Sequence, residues 1–161
     1  MHSLVEELSL LLTQKNMRLV TAESCTGGMI AAAITDRSGS SAVFERGYVT
    51  YSNEAKIEEL GVKSETIETH GAVSEQTAAE MAKGALKNSH ADIALSVTGI
   101  AGPNGGTKEK PVGLVYIGIA LQNKEPHIVK NLFEGDRTSI RQATVEKALE
   151  LLIETVGTRA A

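Results

Sequence analysis

Four short segments carry residue types that chemistry requires. Glu23-Ser24-Cys25-Thr26-Gly27-Gly28 falls between an apolar run suited to a strand and a small-residue run suited to a helix. The first N–H groups of such a helix point into the loop, and with its dipole they attract a phosphate or a developing oxyanion. A helix cap from Ser24 or Thr26, with glycines for tight packing, fits the same residues equally well. Neither G-x-x-x-x-G-K-S/T nor G-x-G-x-x-G occurs, which argues against a nucleotide triphosphatase. Thr98 to Gly106 holds Gly99, Gly102, Gly105 and Gly106 after a strand-like run. Loops of this kind present backbone amides to anions, or serve as plain surface hairpins. Tyr51 ends a β-rich run and Lys56 follows in the first turn of a helix. A lysine desolvated there loses basicity and can serve as a general base toward a hydroxyl, whereas a solvated one cannot. Arg137 and Arg141, four apart on one helical face, can grip a phosphate or carboxylate or simply lie on the surface. His70 has no partner in the sequence and reads as a loop histidine.

The elements that position these groups follow from periodicity and punctuation. Ser3 with Glu6 forms a capping-box pattern ahead of a helix over 4–16, whose Leu4, Val5, Leu8, Leu11 and Leu12 recur at helical spacing. Residues 18–22 read as a buried strand, 27–35 as a helix pressed on a sheet, and 42–51 as one long strand or a hairpin with a bulge or break at Glu45-Arg46-Gly47. Asn53 is the expected N-cap of a helix over 54–60 that Gly61 closes, and a further helix begins at Ser74. Strands follow over 92–98 and 112–121, then a turn at Asn123-Lys124-Glu125 and a strand over 127–133. Asp136 caps a last helix from Arg137 to about Val156, with Gly157 as its stop and 158–161 as a frayed tail. Helices and strands alternate first and an antiparallel hairpin ends the sheet, which predicts an α/β protein: a three-layer α/β/α domain with a mixed parallel and antiparallel sheet.

Composition narrows the function. The 161 residues suit one domain over 1–161, able to bury about 70% of its unfolded surface. Sixteen basic against twenty acidic residues and no basic run argue against nucleic acid as a partner. A single cysteine, Cys25, excludes an intrachain disulfide framework and a cysteine-cluster zinc site, and the four histidines lack metal-ligand spacing. No stretch reads as a membrane span or signal peptide, so a cytoplasmic location without a membrane partner is expected. The apolar β segments and alanine-rich helices suit a homodimer, although α/β domains of this size also exist as monomers.

Read together, AESCTGG (22–28), FERGYVTYSNEAK (44–56), HGAVSE (70–75), TGIAGPNGG (98–106), KPVG (110–113) and GDR (135–137) resemble the CinA carboxy-terminal-domain family, in order and spacing over nearly the whole chain. The resemblance implies a nicotinamide-nucleotide amidase in pyridine-nucleotide salvage, converting a pyridine mononucleotide carboxamide to the acid and ammonia without metal or cofactor. Ser24 corresponds to the nucleophile and Lys56 to its base, with Tyr51 assisting. Longer members carry an amino-terminal molybdopterin-binding-like domain, so this chain resembles the stand-alone form. The oxyanion and substrate are then expected at Cys25, Thr26, Gly27, Thr98, Gly99, Gly102, Gly105, Arg137 and Arg141. Cys25 is the rival nucleophile, and a catalytically silent nucleotide-phosphate-binding module is the rival reading of the whole.

Overall fold

The computed structural model describes residues 1–158. Six helices and five strands follow in the order α1 (His2–Gln14), β1 (Leu19–Glu23), α2 (Met29–Thr35), β2 (Phe44–Val49), α3 (Asn53–Leu60), α4 (Ser64–His70), α5 (Glu75–Lys87), β3 (Ile93–Gly99), β4 (Leu114–Leu121), β5 (His127–Leu132) and α6 (Arg137–Thr158). The sheet order is β2-β1-β3-β4-β5. β1 lies parallel to β2 and β3, while β4 runs antiparallel to β3 and β5. The expected three-layer α/β/α architecture with a mixed sheet is therefore what the chain adopts.

The two faces of the sheet are packed differently. Leu19, Leu95 and Ile117 meet Leu8 and Leu12 of α1, Ile30 and Ile34 of α2, and Leu149 and Leu152 of α6 in the larger core. On the other face Ala22, Ala94 and Ala120 meet Met81, Ala82 and Ala85 of α5, and Ser96 donates its hydroxyl hydrogen to the Ala78 carbonyl at 2.7 Å. Small side chains let α5 approach the strands closely, and β1, covered on both faces, is buried at all five residues. Gly84 of α5 lies against the end of α3, where a Cβ would overlap the Leu60 carbonyl.

The crossover leaving β1 runs through α2, packed in the larger core, and the one entering β3 runs through α5 in the smaller. The chain leaving β1 thus turns to one face and the chain leaving β2, through α3, to the other, which leaves a crevice at the strands' carboxyl ends. Ser24 and Gly99 sit there.

Several local expectations are corrected. α1 begins at His2 with Met1 as its N-cap and no side-chain cap, so the Ser3–Glu6 box is not used. Ser52, not Asn53, caps α3, its Oγ accepting from Ala55 N–H at 3.0 Å. α2 starts two residues later than expected, because Gly27 and Gly28 take φ of 58° and 103° in the turn before it. β2 is one strand, not a hairpin, and its irregularity is a bulge at Glu45: Leu19 pairs with Phe44 and Val20 with Arg46. The polar helix α4 was not expected, and it places His70 at a helix end. α6 continues through Gly157 and Thr158, because that glycine keeps helical geometry, and the rest of the tail expectation, 159–161, lies outside the described residues.

Candidate active site

Ser24 follows β1 directly, and its N–H still donates to the Val97 carbonyl of β3 at 3.1 Å, which carries the sheet ladder one residue beyond the strand. Its side chain meets Lys56, which α3 delivers one turn after its Ser52 cap. Lys56 is 1% exposed. Its Nζ lies 2.9 Å from Ser24 Oγ, 2.9 Å from the Thr50 carbonyl and 3.2 Å from the Tyr51 carbonyl. None of these partners is a carboxylate. Burial therefore holds the lysine's pKa below its ordinary value, an effect that the nearby Cys25 thiol opposes. A neutral amine has two N–H groups and one lone pair. Two carbonyls take the N–H groups here, and the lone pair is left for the Ser24 hydroxyl.

Glu23 organises the turn around Ser24. It is buried, and its Oε1 accepts from the Thr26 hydroxyl at 2.6 Å and from the N–H groups of Gly28 at 3.2 Å and Ile30 at 3.0 Å, while Oε2 accepts from Ala31 N–H at 3.0 Å. The amino end of α2 is thus capped by this carboxylate, not by Ser24 or Thr26, and it offers no free site to a ligand anion. The carbonyls of the turn are held as well: Gly27 N–H donates to Ser24 O at 3.1 Å, and Arg141 donates from Nε to Cys25 O at 3.0 Å and from Nη2 to Thr26 O at 3.3 Å. Among the described residues no protein oxygen accepts from the N–H of Cys25. The Cys25 thiol is buried, and burial pushes its pKa up to about 11. Protonated at neutral pH, it is a poor nucleophile.

The opposite wall is the segment after β3. Ser24, Cys25, Tyr51, Lys56, Thr98, Gly99, Gly102, Gly105 and Arg137 line one cleft of about 270 Å3, together with Asn53, Ala72, Val73 and Asn104. Gly102 and Gly105 take φ of 78° and 93°. Among the described residues the N–H groups of Ala101, Gly102, Asn104 and Gly105 find no protein acceptor. Arg137 donates from Nη1 to the Gly102 carbonyl at 2.8 Å and from Nη2 to the Tyr51 hydroxyl at 3.4 Å, so it ties this loop to the rim of the cleft.

The structure brings most of the expected site residues together and reassigns some. Thr26, Gly27 and Arg141 do not line the cleft, and Arg141 is engaged with the Cys25 and Thr26 carbonyls while Arg137 reaches Gly102, so the two arginines of α6 do not form one clamp. Thr98 lines the cleft, but its hydroxyl donates to the Ala72 carbonyl at 2.7 Å and has no hydrogen left for an oxyanion. Tyr51 is 62% exposed; its carbonyl, not its phenol, touches Lys56. Gly99 is the last residue of β3, where a Cβ would crowd Val115. His70 contributes only its carbonyl, which accepts from Lys110 Nζ. Ala72 and Val73 were missed, having no chemical signature of their own; Asn104 lies within the glycine-rich segment already singled out, and Asn53 was noticed only as a cap. Among the described residues no cluster of three or more His, Cys, Asp or Glu could hold a metal, and no helix is long and apolar enough to cross a membrane.

Comparison with known proteins adds to this geometry. The family model of the CinA C-terminal domain matches residues 1–156. Nicotinamide-nucleotide amidohydrolase PncC of Escherichia coli is 50% identical over 149 residues, which are 92% of this chain and 90% of that protein. A relative from Caldicellulosiruptor saccharolyticus, described as competence-damage inducible, is 53% identical over 146 residues. The chain spans only 35% of that relative's length, and 36% of a similar one from Clostridium novyi. Among solved structures, the competence/damage inducible protein CihA of Agrobacterium tumefaciens superposes with a TM-score of 0.93 at 50% identity, covering 95% of this chain and 93% of that one. With fold, cleft and sequence match extending over the same residues, the chain belongs to the CinA C-terminal domain family.

Proposed function

We propose that this chain is a nicotinamide mononucleotide amidohydrolase, forming nicotinate mononucleotide and ammonia within pyridine-nucleotide salvage. The observation that carries the reading is the buried Lys56 amine 2.9 Å from Ser24 Oγ, with backbone carbonyls as its other partners. The name of the Escherichia coli relative supports the choice of substrate.

Neutral Lys56 accepts the Ser24 proton as Oγ bonds to the carboxamide carbon, and the carbonyl π electrons move onto oxygen. The N–H of Cys25, a cleft-lining residue next to Ser24, has no protein acceptor among the described residues and receives that oxyanion. Lys56 then passes its proton to the carboxamide nitrogen, the C–N bond breaks, and ammonia leaves an ester on Ser24. Water, losing a proton to the same lysine, attacks the ester; Lys56 returns that proton to Ser24 Oγ as the Oγ–C bond breaks, and the acid leaves with the serine hydroxyl and neutral amine restored. At the other end of the cleft, the free N–H groups of Gly102, Asn104 and Gly105 and the Arg137 guanidinium suit the 5'-phosphate.

The test is ammonia release from nicotinamide mononucleotide, in parallel with free nicotinamide, with EDTA present, and with Ser24→Ala. Release from the mononucleotide alone, surviving EDTA and lost in the variant, is the expected result. Binding of the mononucleotide without release by the wild type would leave a phosphate-binding module and remove the roles given to Ser24 and Lys56.

A further inference from the structure

The Ser24 turn is held from outside by a residue that never enters the cleft. Arg141, on the second turn of α6, donates to the carbonyls of Cys25 and Thr26 from 116 positions away in the chain. A trans peptide sets each N–H opposite its own carbonyl. The peptide before Cys25 is fixed by Gly27 N–H on Ser24 O, and the peptide after it is fixed by Arg141 on Cys25 O. The Cys25 N–H belongs to the first of these peptides, opposite Ser24 O, and Arg141 governs it through Thr26 O, the carbonyl of the peptide whose Gly27 N–H holds Ser24 O; among the described residues the Cys25 N–H itself has no protein acceptor.

We propose that Arg141 is a positioning residue for the Ser24 reaction: it aims the Cys25 N–H at the oxyanion and touches neither substrate nor reacting atoms. The inference rests on Ser24 being the attacking group. Its charge reinforces the effect along that chain: a cation donating to the Thr26 carbonyl polarises the Gly27 N–H, which donates to Ser24 O and so polarises the Cys25 N–H. Lysine is a poor replacement, since an ammonium cannot span two carbonyls with the planar fork of a guanidinium. The fold does not depend on the contact, because α6 is seated by buried Ile140, Val145, Ala148, Leu149 and Leu152.

The experiment compares wild type, Arg141→Met and Arg141→Lys in steady-state hydrolysis of nicotinamide mononucleotide, with melting temperature measured alongside. In Arg141→Met kcat falls by about 100-fold, KM stays close to the wild-type value, and the pH midpoint of the rate is unmoved, because the partners of Lys56 are intact. Arg141→Lys recovers part of the loss, and millimolar guanidinium ion restores rate to Arg141→Ala but not to Lys56→Met. Equal kcat in Arg141→Met and wild type overturns the proposal, as does a rate loss that tracks lost melting temperature. A second readout needs no turnover: the rate at which an alkyl fluorophosphonate labels Ser24, followed by intact mass. Fast labelling of wild type and slow labelling of Arg141→Met support the role even where the carboxamide proves to be the wrong substrate, whereas equal labelling rates refute it.

Discussion

The turn that carries Ser24 and the glycine-rich loop across the cleft are both short loops at the same ends of neighbouring strands, yet their polar groups are treated differently. In the first, Glu23 takes up three N–H groups and a hydroxyl, and Gly27 and Arg141 take up three carbonyls. In the second, the N–H groups of Ala101, Gly102, Asn104, Gly105 and Gly106 have no protein partner among the described residues. The Ser24 turn is thus held in place before any ligand arrives, with the N–H groups of Cys25 and Thr26 left over among the described residues, and pays its ordering entropy during folding. A recognition loop can leave donors free, because the ligand completes them.

Substitutions on the two sides should therefore fail in different ways. Ser24→Ala lowers kcat by about ten-thousandfold and Lys56→Met by about a thousandfold, with mononucleotide binding by calorimetry retained in both. The wild-type rate carries the same signature. Only the neutral amine accepts a proton, so kcat/KM rises with pH through the pKa of Lys56, at a midpoint below the ordinary 10.5. A midpoint at or above 10.5 would remove the base assignment. The linkage to stability has the same sign: between the lowered folded value and 10.5 the unfolded chain binds the extra proton, so raising pH in that window relieves a cost of folding.

Across the cleft, Arg137→Ala should raise KM for the mononucleotide by about tenfold, as expected for one charge-assisted hydrogen bond. It should leave hydrolysis of the dephosphorylated nucleoside unchanged, and equal losses on both substrates would refute the phosphate role. Glu23→Gln places an amide hydrogen against backbone N–H groups that the carboxylate served. Thermal unfolding should show a loss of about 1–3 kcal/mol. The smallest effect belongs to Cys25→Ala, whose rate stays within about twofold of wild type because a thiol that remains protonated does not attack. Loss of turnover in that variant would transfer the nucleophile's role from Ser24 to Cys25.

What was legible in the sequence was local. Gly61 closes α3 at a φ of 69°, Ser74 caps α5 through Thr77 N–H, and Asp136 Oδ1 accepts from Ser139 N–H at 2.8 Å, each over three or four residues. Layer order, strand directions and the cleft-lining glycines followed from the same short-range patterns. What was not legible depends on contacts between distant segments. Arg141 and Arg137 sit four apart on α6, and nothing between them says that one reaches the Cys25 carbonyl behind the turn while the other reaches Gly102 in front. Glu23 was read within a segment of loop chemistry, although its carboxylate serves the helix five to eight residues on. The engagement of Thr98 with Ala72 likewise depends on how the segment before α5 folds over β3.

The contact between Gly84 and Leu60 sets a length scale far from any reacting atom. Lys56 stands one turn before Leu60 on the same eight-residue helix, so the seat of α3 on α5 fixes how far the amine projects toward β1. A methyl group at residue 84 acts as a shim: it lifts the rod that bears Lys56 without altering Lys56, Ser24 or the cleft wall. The buried seat of α3 on α5 thereby holds an adjustment for the distance between Lys56 and Ser24, one that a survey of cleft-lining residues alone would not detect.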